Sequence, residues 1–163
     1  MTRLKNIQWI GQFNGYLKFI DQQALPHKLK YLVCRDAATV YQAIKTLSVR
    51  GATAIGVVTA YGVFLGIRHL KTNTFTKFYR RLDEICNKFS QARPTAVNLF
   101  RALERIKTQA WHQRTQSVES IKKTIIQEAH QILKQERDIS YRLGQYGARL
   151  IKNGYGILTH CNT

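Results

Sequence analysis

Residues 51–67 carry no charged side chain, and this 17-residue run constrains the fold more than any other stretch. It begins in Val49-Arg50-Gly51-Ala52-Thr53-Ala54-Ile55-Gly56. Gly51 permits a tight turn, and the small and apolar residues behind it predict a buried helix. At 17 residues it sits at the lower limit of the ~17–25 needed to cross a bilayer. Its four glycines and two threonines dilute its apolarity, so it reads as the central helix of a soluble protein. On that reading, the glycines let neighbouring elements approach closely. Such a helix needs clothing, and the remaining segments are amphipathic and supply it.

The first N–H groups of a helix lack intrahelical acceptors, and its dipole is positive there. Arg50 stands just before that end, which makes a candidate anion site suited to a phosphate. The structural alternative is a solvated Arg50 in an ordinary turn. A second helix start follows Arg93, in Arg93-Pro94-Thr95-Ala96-Val97-Asn98-Leu99, with Pro94 fitting the first helical position. Two arginines at two helix starts could converge on one anion; equally, Arg93 could satisfy nearby carbonyls.

The other elements follow from local patterns. Residues 7–10 and 16–20 read as a β-hairpin around Asn14-Gly15, and residues 30–34 as a third strand. Asp36 is a plausible N-cap for a helix over 37–47. Residues 69–74 read as a polar loop, and Phe75, Phe78, Leu82, Ile85 and Phe89 recur at helical spacing. From Ser117 to Leu150 apolar residues step by three, four or seven. That predicts one long helix or two in line, with Gly144 and Gly147 as a kink or close-packing point. Glu136 falls on this stripe, either as a paired core carboxylate or at the stripe's margin. After Gly156, Ile157-Leu158-Thr159 reads as the start of a buried strand.

Composition narrows the function. Lysine and arginine total 26 against nine acids, a formal net charge of +17. Such a charge keeps nucleic acid or an anionic surface open as a partner. The cations are spread out with no run of five or six, which favours a solvated basic surface, and no nucleic-acid-binding motif backs the other reading. Three separated cysteines, Cys34, Cys86 and Cys161, argue against a disulfide framework or a zinc site and fit a reducing cytoplasm. The first residues lack the apolar core of a signal peptide.

Three motifs now stand in order: Val49-Arg50-Gly51-Ala52-x-Ala54-Ile55-Gly56, Arg93-Pro94-Thr95-Ala96-Val97-Asn98-Leu99 and Ile157-Leu158-Thr159-His160-Cys161-Asn162. Together they resemble the S-methyl-5-thioribose-1-phosphate isomerases of methionine salvage. Those share a fold with ribose-1,5-bisphosphate isomerase and with regulatory subunits of the eukaryotic translation-initiation exchange factor. The resemblance implies an α+β architecture, with a small antiparallel sheet and helices over 1–152. It implies that 153–163 open a Rossmann-like domain that is otherwise absent. The implied activity is an aldose–ketose isomerisation of 5-methylthioribose 1-phosphate, cytoplasmic, homodimeric and without metal or organic cofactor. Arg50, Gly51, Ala52 and Arg93 match substrate-binding positions, and Cys161 matches the catalytic cysteine. Thr53 replaces the usual proline. The partner catalytic aspartate has no counterpart in the chain, so negligible turnover is expected of it alone. A non-catalytic assembly subunit is the alternative.

Overall fold

The computed structural model describes residues 6–159. Three strands come first: β1 (Ile7–Ile10), β2 (Tyr16–Ile20) and β3 (Tyr31–Cys34). Five helices follow: α1 (Ala37–Lys45), α2 (Ala52–Ile67), α3 (Phe75–Ser90), α4 (Val97–His112) and α5 (Val118–Ala148). The strands form an antiparallel sheet in the order β1-β2-β3, with Ile10 opposite Tyr16 and Leu17 opposite Cys34. The expected hairpin is present. Gly15 N and Trp9 Nε1 both donate to Gln12 O, at 2.9 and 2.8 Å. On β2, Leu17 and Phe19 are buried on one face; on the other, Tyr16 and Lys18 are only partly covered while Ile20, at the strand's end, is buried.

Asp36 caps α1 as expected, its Oδ1 accepting from Thr39 N at 2.8 Å. The helix stops two residues short of Leu47, because Leu47 turns the chain with φ +65°. Helix α2 is the central element, with 12 of its 16 residues buried. Its glycines work as the sequence suggested. A Cβ on Gly62 would lie 2.6 Å from Phe89 Cζ and 2.7 Å from Val40 Cγ1, so α3 and α1 sit on bare backbone there. Tyr61 and Phe64 of α2 and Phe78 and Phe89 of α3 are enclosed in the core, each phenylalanine contributing about 1.5–3 kcal/mol of burial. No helix among the described residues is long and apolar enough to cross a membrane. At the far end of α2, Arg68 ties the helix to the sheet, donating to Gly15 O and Arg35 O, both at 2.6 Å.

Two expectations change. Helix α4 begins at Val97, not at Pro94. Ala96 N donates to Arg93 O at 3.0 Å, closing a turn in which Pro94 holds the second position, where its fixed φ suits it equally well. Residues 151–159 carry a turn around Gly154 and no strand, so the strand expected from Ile157 is not formed among the described residues. A strand needs a neighbour to complete its ladder, and the apolar pattern of Ile157-Leu158 does not supply one. The rest of that expected strand, 160–163, lies outside the described residues.

Helix α5 is a single unbroken helix of 31 residues through Gly144 and Gly147, capped by Ser117 Oγ accepting from Ser120 N. Its first half packs on the core through Val118, Ile121, Ile125, Ala129 and Ile132. The same stripe continues in Ile139, Leu143 and Tyr146, but there it is exposed, Leu143 to 72%.

Candidate functional site

The turn between α1 and α2 is held from both sides. Thr46 N returns to Gln42 O at 2.8 Å and Val49 N to Ala43 O at 3.2 Å. From the segment after β2, Gln22 N donates to Ser48 O at 3.0 Å, and Gln23 Nε2 donates to Thr46 O. Val49 is anchored in the core with 3% exposure, so Arg50 emerges at a defined place. Its side chain is exposed, with Nε donating to Leu47 O at 3.3 Å. Gly51 follows with φ +91° and ψ 132°, a conformation open essentially to glycine alone.

Helix α2 then starts with no side-chain cap. Ile55 N takes Gly51 O at 3.0 Å, leaving the N–H groups of Ala52, Thr53 and Ala54 as the free donors of its first turn. Ala52 and Thr53 are exposed, so an anion has open access to them. Helix α4 also starts without a side-chain cap, after Ala96. Its first turn lies directly on α2: a Cβ on Gly56 would sit 2.8 Å from Asn98 O. The fold thus packs the two arginine-preceded helix starts against each other within two turns of Gly51. Arg93 is half-buried, and neither it nor Arg50 makes an ion pair among the described residues. Cys161 lies outside the described residues.

Beside the first turn of α2 runs a cleft of about 690 Å³, walled by Thr53, Ala54 and Val57 on one side and α5 on the other. Leu133, Arg137 and Tyr141 of α5 line it at intervals of four residues. Arg137 Nη2 donates to Ile7 O at 2.6 Å, fixing the helix to β1. Glu136 lines the same cleft rather than the core. The four-residue spacing marks these residues as one helix face, but not what that face opposes.

Near the cleft, Tyr61 OH meets His130 Nδ1 at 2.8 Å, and the Trp9 ring stacks on Tyr61 with centroids 5.3 Å apart. Burial raises the Tyr61 phenol well above its ordinary range, with the Arg137 charge working against the rise. Burial also lowers the His130 imidazole. The two described cysteines are poor chemical candidates: burial pushes Cys34 up to about 11 and Cys86 up to about 12, so neither supplies a thiolate near neutrality.

A three-stranded sheet with five helices in this arrangement is shared with two solved proteins. One is 5-methylthioribose 1-phosphate isomerase from Pyrococcus horikoshii, with a TM-score of 0.86 and 30% identity, covering 94% of this chain and 42% of that one. The other is translation initiation factor eIF-2B, subunit delta, from A. fulgidus, with a TM-score of 0.81 and 34% identity, covering 93% and 43%. The chain belongs to the Initiation factor 2 subunit family, whose model matches residues 48–163. Among curated relatives, methylthioribose-1-phosphate isomerase of Acetivibrio thermocellus is 40% identical over 149 residues, 91% of this chain and 44% of the relative. The chain therefore spans less than half the length of the curated relatives it matches.

Proposed function

We propose that this chain holds the phosphate-binding half of an aldose–ketose isomerase of methionine salvage, one that converts 5-methylthioribose 1-phosphate to 5-methylthioribulose 1-phosphate. The observation that carries the reading is the Arg50-Gly51 turn. It presents a guanidinium that has no ion pair among the described residues beside an uncapped, open helix start, packed against a second such start that follows Arg93. An aldose whose anomeric oxygen carries phosphate cannot open freely to its aldehyde. The enzyme must assist ring opening and then move hydrogen from C2 to C1. Arg50, Arg93 and the amides of Gly51 and Ala52 hold the phosphate and fix the ring. Cys161 serves the transfer step with a carboxylate that this chain's motifs do not supply. The reaction requires neither metal nor organic cofactor. In this reading 153–163 lead into a Rossmann-like domain, and the complete protein is a cytoplasmic homodimer.

Backbone amide spectra of the chain titrated with 5-methylthioribose 1-phosphate test the binding half of this reading. Gly51 and Ala52 are expected to shift, and Arg50→Ala to weaken binding roughly 10- to 150-fold, the loss of a charge-assisted hydrogen bond of about 1.5–3 kcal/mol. Unshifted Gly51 and Ala52 would remove the proposal. Turnover is expected to be negligible for the chain alone and to appear when the C-terminal half of a full-length relative is supplied. Turnover by the chain alone would refute the need for that second carboxylate.

The likeness to the eIF-2B delta subunit supports one other reading, a non-catalytic assembly subunit. Cys161→Ser separates the two: it abolishes turnover in the reconstituted isomerase and leaves an assembly role untouched.

A further inference from the structure

The opposite end of α2 carries a second cationic feature. Its 16 residues place Arg68 about 24 Å from Gly51. There the loop after α2 and the starts of α3 and α5 enclose a groove of about 1170 Å³. Six lysines and arginines line it against one acid, Glu119. Part of that charge is already used: Lys122 donates to Leu70 O and Glu119, both at 2.7 Å, and Arg80 and Arg81 share Glu84. Lys71 and Lys77 are exposed and make no ion pair among the described residues.

Arg80 also lines a neighbouring hollow on the other flank of α3. That hollow is largely aromatic, and its one acid, Asp83, is neutralised by Lys107 at 2.9 Å. Phe75, Tyr79 and Trp111 meet pairwise with centroids 5.3 to 5.8 Å apart, and the Arg114 guanidinium lies over one face of the Trp111 ring, 5.3 Å from its centroid. Trp111 remains 49% exposed, an unusual position for the largest side chain in a protein with an ample core. A basic track beside a partly exposed aromatic platform is the arrangement that holds single strands: cations follow the phosphates and rings stack the bases.

We infer that the groove lined by Lys71, Lys77, Arg80 and Arg81, with the Trp111 platform beside it, binds single-stranded nucleic acid. The groove gathers six of the chain's 26 lysines and arginines at a place that a sugar-phosphate site of two arginines does not require. It lies apart from the Arg50 turn, so this inference stands or falls independently of the isomerase reading. A small anion would occupy only a fraction of the groove, and a purely electrostatic polyanion would leave the ring platform without a role.

Fluorescence anisotropy with labelled dodecathymidylate, titrated with the whole 163-residue chain at 50 and 200 mM salt, tests the inference. Lys71→Glu with Lys77→Glu is expected to weaken binding at least tenfold and to make the slope of log K against log salt shallower by about 1.4, two phosphate contacts on a single strand. Trp111→Ala is expected to weaken oligonucleotide binding by roughly 5- to 150-fold, the equivalent of about 1–3 kcal/mol of stacking. Heparin binding should not respond to that change. On the unaltered chain, an abasic dodecamer should bind correspondingly less well than dodecathymidylate, which keeps the test valid if Trp111→Ala fails to fold. Equal binding of the abasic and thymidine strands would overturn the inference. So would oligonucleotide affinity that ignores the two lysine substitutions.

Discussion

Gly51, Gly62 and Gly144 are chemically identical, and their environments assign them three different fates. At Gly51 there is open space, with only Ala54 Cβ within 3.9 Å of an added Cβ, but the backbone sits at φ +91°. Gly51→Ala is therefore expected to cost about 1–3 kcal/mol through backbone strain alone, read from urea unfolding. At Gly62 the backbone is helical and the space is missing, so Gly62→Ala should cost about 1–3 kcal/mol through overpacking against Phe89 and Val40. Gly144 has neither constraint, being helical with nothing within 4 Å. Gly144→Ala should stabilise by roughly 0.5–1 kcal/mol. His130 adds a pH dependence. Its folded pKa lies below its unfolded value, so the unfolded state binds the extra proton. The stability it contributes is complete above about 6.5 and is lost as the pH falls below that. Thermal melts between pH 7.5 and 5 should show this loss, and His130→Gln should flatten it.

At the scale of elements, α1, α2 and α3 were legible because their signals are local. Asp36 caps its own helix, and an uncharged run dotted with glycine has few destinations but a core. The start of α4 was misplaced for an equally local reason. Proline fits both the first position of a helix and the second position of a turn, and the Ala96–Arg93 hydrogen bond decides between them. The stripe on α5 is legible as a periodicity, yet it is buried only over its first half, since spacing says which residues share a face and not whether anything covers it. Hydrogen exchange should report the division, with amides of 118–133 protected and those of 137–148 exchanging faster. Likewise Leu103→Ala, at a site with 4% exposure, is expected to cost about 2–5 kcal/mol, against under ~1 kcal/mol for Leu143→Ala.

For the molecule as a whole, long-range placement was the part the sequence could not disclose. The pairing of the α2 and α4 starts rests on Gly56 meeting Asn98, 42 positions along the chain, and no local pattern announces it. The basic groove was hidden for the same reason. Five of its six cations lie within residues 68–81, but that they face one groove closed by Lys122 and the start of α5 shows only in the fold. An excess of 17 positive charges also repels itself, so the melting temperature should climb as salt rises from 10 to 200 mM, where screening shortens to within ~10 Å.

Helix α5 leaves the core near Leu133 and continues for four more turns to Ala148 without a break. A helix of that kind transmits orientation as well as distance. A structure joined beyond it would stand at a set bearing about 20 Å from the core, like a bracket rather than a tether, and its alignment with the Arg50 turn would depend on the straightness of those four turns.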